Sequence, residues 1–199
     1  YITLSDEGFV ATLVNDIQLR VALNPLDSNK LKLEFYGGGV LDSLVIAAGS
    51  LVDMNNNKIV GNNADSPISI NSFIADSTPP VALAMDVDLS RYVITVLFDE
   101  IIDVRYFESG GLFLLNNAST ASSTEALQLT NYTLLSVDSE QLNVLIIDLG
   151  FLREDQFALE SISDLYNSVL DSFLAIMVGG DIFGNEITSP IVIQALTFR

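Results

Sequence analysis

SPIVIQAL, at residues 189–196, repeats the stretch SPISINSF at residues 66–73. Upstream of each copy lies a second matched stretch, DMNNNKI at 53–59 and DIFGNEI at 181–187. Still further upstream, LVIAAG (44–49) matches LAIMVG (174–179). Matched stretches in the same order predict one structural unit that occurs twice.

The two copies differ in what precedes them. The second copy follows residues 78–115, which contain a predicted strand at 92–98 and have no counterpart in the first copy. Between the copies, Pro79 and Pro80 fix the backbone and favour a short, stiff connector. We therefore predict two domains: residues 1–76, the C-terminal part of a β-sandwich unit, and residues 77–199, a complete one. A partial unit has an unfilled sheet edge, so we expect a neighbouring chain or segment to complete it.

Short apolar runs separated by Gly, Asn, Asp, Ser and Pro are typical of an all-β fold. They predict strands near residues 2–5, 9–14, 31–35, 44–48 and 68–74 in the first unit. In the second unit the predicted strands are 81–87, 92–98, 111–115, 127–137, 142–149, 173–178 and 191–198. Residues 153–165 contain helix formers with spaced apolar residues and predict one short helix.

Composition excludes several classes of function. The chain has no Cys, His or Trp, which removes disulfides, thiolate and imidazole metal sites and every His-dependent catalytic mechanism. A formal net charge of −18 opposes binding to nucleic acid and to anionic membranes. Because 49% of the residues are hydrophobic and only 17% are charged, we expect part of the apolar surface to contact another protein. The apolar runs are too short to span a membrane, so self-assembly is the preferred explanation.

Three short motifs of the second unit carry a resemblance to a known family. They are the opening Thr78-Pro79-Pro80, the stretch FDEIID at 98–103 and the turn DIFGN at 181–185. With these motifs the unit resembles the tandem immunoglobulin-like, SbsA-type repeats of large bacterial and protist cell-surface proteins. The resemblance implies immunoglobulin-like sandwiches, an extracellular location and a structural or adhesive role without catalysis.

Two N-glycosylation sequons occur, at Asn117 and Asn131. They flank the Ser/Thr-rich stretch STASSTE at 119–125, which is a candidate for O-linked glycans. Glycans would supply a solubilising layer on a surface that is poor in charge. The alternative is an ordinary polar hairpin loop.

Asp53, Asn55 and Asn57 have the alternating oxygen spacing of a calcium loop. Position six of such a loop requires Gly, but the chain has Lys58 there, and no Glu closes the loop. A plain Asx turn is therefore the preferred interpretation, with no metal and with calcium as the alternative. A second calcium hypothesis places the ion between domains, on Asp76, Asp99, Glu100 or Asp103.

Catalytic interpretations are weak. Asp99 and Glu100 are neighbours on a predicted strand, so their side chains point in opposite directions and cannot flank one glycosidic bond. The triplet Gly37-Gly38-Gly39 lacks the Lys and the helix of a phosphate-binding loop. We therefore expect that the chain is not an enzyme.

The sequence predicts an extracellular structural repeat protein that assembles with itself into a filament. Its assembly contacts are expected along the first strands and at an exposed aromatic patch. The residues concerned are Ile2, Leu4, Phe9, Val10, Leu13, Tyr106 and Phe107. The alternative is an adhesin-type module that binds a cell-surface glycan or protein, with or without calcium.

Overall fold

A computed structural model describes residues 10–15, 18–36, 43–53, 55–72, 74–107, 110–118, 126–136, 143–150, 153–163 and 165–199. The chain divides into two compact units, Lys30–Asp76 and the remainder, Tyr1–Asn29 with Ser77–Arg199. The predicted strand at 2–5, the glycine triplet at 37–39 and the loop at 119–125 lie outside the described residues. The predicted domain division at residue 76 stays a prediction.

The N-terminal part of the chain contains two hairpins and a helix. Its elements are β1 (Val10–Asn15), β2 (Gln18–Ala22), α1 (Pro25–Tyr36), β3 (Ser43–Leu44) and β4 (Ile68–Ser69). Strands β1 and β2 pair antiparallel with an irregularity between Leu13 and Asn15. Strands β3 and β4 also pair antiparallel, with Leu44 opposite Ile68.

The strand predicted at 31–35 is wrong, because these residues belong to helix α1. Asn24 caps that helix: its Oδ1 accepts a hydrogen bond from the backbone N–H of Asp27 over 2.8 Å. Pro25 is the first helical residue, where its fixed φ and missing N–H carry no penalty. The cap and the proline start a helix, and the helix continues through the apolar alternation that had suggested a strand.

Residues 77–199 form two sheets. Their strands are β5 (Ala82–Asp88), β6 (Val93–Phe98), β7 (Leu112–Leu115), β8 (Ala126–Gln128), β9 (Thr133–Ser136), β10 (Val144–Asp148), β11 (Phe173–Ile176), β12 (Ile191–Gln194) and β13 (Thr197–Phe198). Helix α2 (Glu154–Ser161) confirms the predicted helix, and 3-10 helices occupy Val104–Phe107 and Val169–Asp171.

One sheet has the order β13-β5-β6-β10-β9 and the other the order β12-β11-β7-β8. All pairs are antiparallel except β13 with β5. The inward residues of both sheets share one buried hydrophobic cluster. From the first sheet it contains Met85, Val87, Ile94, Val96, Phe98, Leu145 and Ile147, and from the second Leu112, Leu114, Leu174 and Ile176. The prediction of a mainly β fold is confirmed.

The predicted strand at 191–198 is divided between the two sheets. Strand β12 pairs with β11, and the chain then crosses at Ala195, whose N–H donates to Ser172 O over 2.9 Å. Beyond it, the N–H of Leu196 donates to Met85 O over 2.7 Å, and β13 continues beside β5. The last strand therefore closes one edge of the five-stranded sheet.

Candidate assembly surfaces

A turn at residues 181–185 is held by the buried side chain of Asp181. Its Oδ1 accepts hydrogen bonds from the N–H groups of Phe183 and Asn185, both over 2.8 Å. Its Oδ2 accepts from the side-chain amide of Asn185 over 2.7 Å. Gly184 occupies the left-handed region with φ 85°, where glycine has no steric cost.

The turn at residues 53–57 has the same hydrogen bonds. Oδ1 of Asp53 accepts from the N–H groups of Asn55 and Asn57, over 2.9 and 2.7 Å. Its Oδ2 accepts from the side-chain amide of Asn57 over 2.8 Å. Asn56 takes the place of Gly184 with φ 65°, a conformation that Asn tolerates better than most residues. The sequence repeat is therefore one hydrogen-bonded turn built twice.

The correspondence extends to the residues that flank the turns. Gly180 pairs with Glu186, as Val52 pairs with Lys58. The backbone N–H of Ile187 donates to Gly179 O over 2.8 Å, and that of Ile59 donates to Leu51 O over 2.9 Å. Leu51 and Val52 therefore stand where the second copy has Gly179 and Gly180.

These bonds bear on the calcium hypothesis for Asp53, Asn55 and Asn57. Both carboxylate oxygens of Asp53 accept N–H donors, which is the geometry of an Asx turn. The hydrogen bonds from Asn57, side chain first, hold the pKa of Asp53 below its usual value. A cation at this place would have to replace these donors.

The turn at 181–185 is covered by the segment that follows strand β6. Ile102 pairs with Asp181, and the N–H of Asp103 donates to Gly180 O over 3.0 Å. Phe107 lies against Gly179 so closely that a Cβ at Gly179 would be 2.4 Å from Phe107 Cε1. As a result Asp181 is fully buried.

The turn at 53–57 is exposed, and so are the apolar residues of its hairpin. Val52 is 56% exposed, and Leu51 and Lys58 are exposed as well. Leu44 and Ile68 lie opposite each other on β3 and β4 and are 46% and 50% exposed. A cover like that of the second copy would collide with the side chains of Leu51 and Val52, because Phe107 and Tyr106 pack there against glycines. We call this surface, made of Leu44, Leu51, Val52, Lys58, Ile68 and Ile70, the hairpin face.

The five-stranded sheet also has an apolar outer surface. The register places Leu97 beside Ala84 and Val144, and Ile146 beside Thr95 and Leu135. Leu97 is 37% exposed and Leu135 41% exposed. The outward face of an antiparallel sheet is usually polar, so these rows are unusual. We call the surface of Ala84, Thr95, Leu97, Leu135, Val144 and Ile146 the outer sheet face.

The outer sheet face was not identified from the sequence, although the apolar runs of two of its strands indicate it. VLII at 144–147 is a continuous apolar run, and VITVLF at 93–98 is apolar apart from Thr95; such runs are typical of strands that are covered on both faces. The acidic residues of the same surface adjoin these rows. Asp88 and Asp148 flank Val93 in the adjoining row, and Asp86 ends the row of Thr95.

The predicted assembly residues have different environments. Ile2, Leu4 and Phe9 lie outside the described residues, while Val10 and Leu13 belong to β1. Tyr106 is half-buried, and Phe107 is fully buried, with its ring edge-on to Phe98 at a centroid distance of 5.7 Å. The interpretation of Phe107 as an exposed contact is therefore corrected: its ring belongs to the hydrophobic core. The assembly role of the other residues stays a prediction.

The sequon residues are both on connections at the surface. Asn117 is exposed after strand β7. Asn131 lies between β8 and β9, and its N–H donates to Oδ2 of Asp155 over 2.7 Å, as does that of Thr130. The buried carboxylate of Asp155 thus fixes the backbone at the second sequon and joins it to the first turn of α2.

The remaining acidic candidates are engaged in local structure. Asp99 is exposed, and its Oδ1 accepts the N–H of Val81 over 2.8 Å, whereas Glu100 is buried. Asp103 accepts from Nε of Arg105 over 2.9 Å, and this guanidinium lowers the pKa of Asp103. Asp76 forms an ion pair with Lys32 over 2.6 Å. Asp99 and Glu100 therefore differ in exposure, and the expectation that they do not form a catalytic pair stays a prediction.

Residues 30–76 also contain an open depression of about 380 Å³. It is lined by Ala48, Gly61, Asn62, Asn63 and Ser66. Asn62 is occupied in holding the hairpin, since its Oδ1 accepts from Ile46 N and its amide donates to Leu44 O over 2.8 Å. Asn63 caps its own turn by accepting from the N–H groups of Asp65 and Ser66, each over 3.1 Å.

Comparison of the chain with models of protein families, with curated proteins and with solved structures gives no match. Within the described ranges, none of the helices has the length and apolar character needed to cross a bilayer.

Proposed function

We propose that this chain is an extracellular structural repeat protein that assembles into a filament or fibril. In this proposal the two sheets of residues 77–199 are an immunoglobulin-like sandwich. Residues 1–76 contribute a partial unit of the same kind, which a neighbouring chain or segment completes. The protein is its own partner, and its surface carries glycans rather than many charges.

The proposal rests on one hydrogen-bonded turn that occurs twice in the chain, at residues 53–57 and 181–185, and that is covered by another segment of the described residues only in the second copy. In one copy residues 102–107 cover Asp181 and Gly179, whereas around Asp53 the same hydrogen bonds are exposed to solvent. The exposed copy has apolar residues beside it, among them Val52 and Ile68, at 56% and 50% exposure. Apolar side chains grouped on a paired hairpin indicate a contact surface, because such groups lose free energy when they are removed from water.

The experiment is concentration-dependent assembly of the chain. Light scattering and negative-stain electron microscopy would be recorded over a range of protein concentrations, at low and at moderate salt. We expect filaments above a critical concentration, and a lower critical concentration at higher salt, because salt screens the repulsion between chains of charge −18. Monodisperse monomers at every concentration and salt level would contradict the proposal.

The alternative is an adhesin-type binding module. The depression lined by Asn62, Asn63 and Ser66 favours it, since amide and hydroxyl groups around a concave surface suit a polar ligand. Screening of the chain against an array of glycans tests this alternative. Selective binding that is lost in Asn63→Ala, together with a monomeric state, would place the adhesin function first.

A further inference from the structure

We propose that the filament contact is heterologous: the hairpin face of one copy packs on the outer sheet face of the next copy. This inference rests on the proposed function and names the two surfaces that carry it. It replaces Phe107, which lies in the core, with residues that are exposed or half-buried at the surface. The occupant of each face is a second copy of this chain.

The chain itself shows what a hairpin of this sequence packs against. In residues 77–199 the equivalent strands, β11 and β12, lie on either side of the turn at 181–185. Leu174 and Ile176 of β11 share one hydrophobic cluster with Ile94 and Val96 of the five-stranded sheet. The repeated hairpin therefore packs, in its covered copy, on an apolar face of this sheet. The same sheet has a second apolar face on its outer side.

Both faces present apolar side chains on neighbouring strands. Leu44 and Ile68 stand side by side on β3 and β4, and Ile70, just beyond β4, is 44% exposed. On the sheet, Leu97 and Val144 also stand side by side, and Ile146 lies beside Leu135 in the next row. Two such faces pack as sheets do, about 10 Å apart, with alternate side chains interdigitated.

Charge favours this pair of surfaces over others. The six residues of the outer sheet face are uncharged, and the acidic residues Asp86, Asp88 and Asp148 lie around them on the same surface. Residues 30–76 hold three of the eight Lys and Arg residues but only five of the 26 Asp and Glu residues. Lys58 belongs to the hairpin face, whereas Asp86, Asp88 and Asp148 border the apolar rows of the sheet. Asp86, Asp88 and Asp148 are therefore candidate partners for Lys58 across the contact.

A heterologous contact has a consequence for the form of the polymer. Each copy offers one hairpin face and one outer sheet face, so every bound copy presents a free face to the next. Unless the rotation closes a ring, such contacts generate an open filament. A contact between two identical faces would end at a dimer.

The first test compares charged substitutions in the full chain. Ile68→Glu and Leu97→Glu each place a charge in one face. Val60→Glu and Leu170→Glu are matched controls, because these residues are 92% and 80% exposed and lie outside both faces. We expect Ile68→Glu and Leu97→Glu to raise the critical concentration by about tenfold or more, and the controls to change it by less than about twofold. Leu135→Glu provides a second variant of the sheet face, and circular dichroism verifies folding in each case.

The second test mixes the two variants. Ile68→Glu retains an intact sheet face and Leu97→Glu retains an intact hairpin face, so the mixture should form a heterodimer that cannot grow further. Analytical ultracentrifugation of the mixture, with one variant labelled, measures how much heterodimer forms. The heterologous contact would be overturned if no heterodimer formed, or if the variants and their controls changed the critical concentration equally. Wild-type filaments would in that case still support the proposed function. Absence of wild-type assembly would instead contradict the proposed function itself.

Discussion

The side-chain amide of Asn185 donates to Oδ2 of the buried Asp181 over 2.7 Å, and this bond is partly buried. The matching bond from Asn57 to Asp53 measures 2.8 Å and lies at the surface. The two turns therefore allow the same interaction to be compared in two environments.

Asp181→Ala should destabilise the protein far more than Asp53→Ala. Asp181 is fully buried and accepts the N–H groups of Phe183 and Asn185, so its loss removes a buried side chain as well as these partly buried hydrogen bonds. We expect a cost of about 3 kcal/mol for Asp181→Ala and a clearly smaller cost for Asp53→Ala. Urea unfolding followed by circular dichroism measures both. Equal costs of the two substitutions would show that burial of Asp181 has no energetic role.

Gly179→Ala should destabilise the protein, because the added Cβ would lie 2.4 Å from Phe107 Cε1. The ring cannot withdraw, since it is fully buried against Phe98. Overpacking of this kind costs about 1–3 kcal/mol. Gly49→Ala is not a suitable control because Gly49 has a positive φ, whereas Gly150 is half-buried with more room. A thermal melt in which Gly179→Ala unfolds no earlier than Gly150→Ala would contradict the prediction.

Expression in a host with N-glycosylation should add glycans at both Asn117 and Asn131. Asn117 is exposed, and the amide of Asn131 makes a solvent-exposed bond to Thr130 that a glycosyltransferase can displace. Mass spectrometry of the wild type, Asn117→Gln and Asn131→Gln should show two, one and one glycans. An unmodified wild type would leave the surface without the predicted glycan layer.

The sequence predicted the repeat and most strands of residues 77–199, because both depend on local pattern; it did not predict β2, and the one strand predicted at 127–137 is the two strands β8 and β9 in different sheets. Alternating or continuous apolar residues bounded by turn residues predicted most strands of residues 77–199, and DMNNN and DIFGN predicted one turn in two copies. Helix α1 was not predicted, because Leu31, Leu33 and Phe35 alternate with polar residues as a strand would. The capping signal at Asn24 and Pro25 outweighs that alternation.

The assembly residues were harder to predict from the sequence than the strands, because the exposure of a side chain depends on the whole fold. Tyr106 and Phe107 follow the exposed Arg105 in sequence, and only the packing of the 3-10 helix decides that Phe107 enters the core. The outer sheet face depends on register, which joins Leu97 with Val144 across 47 positions of the chain.

The contact between Tyr92 and Glu160 should make stability depend on pH in two windows. The Tyr92 hydroxyl donates to the Glu160 carboxylate, which also accepts from the amide of Gln156 over 3.0 Å. These bonds, Tyr92 first, lower the pKa of Glu160 below its usual 4.5, and the bond to Glu160 raises the pKa of Tyr92 above its usual 10.0. The carboxylate therefore contributes stability above about pH 4.5, which is lost as the pH falls through its lowered folded pKa. The hydroxyl contributes below about pH 10, and that part is lost as the pH rises through its raised folded pKa.

Tyr92→Phe isolates this contact, because it removes the hydroxyl and keeps the ring. Urea midpoints of the wild type and of Tyr92→Phe should differ between about pH 5 and pH 9 and converge at lower and at higher pH. Other carboxylates with lowered pKa values, such as Asp103, titrate equally in both proteins and cancel in the difference. Gln156→Ala should give a smaller difference that converges only on the acid side, because Gln156 donates to the same carboxylate without carrying a titrating proton. A difference between the wild type and Tyr92→Phe that stays constant at every pH would show that the hydroxyl does not act through Glu160.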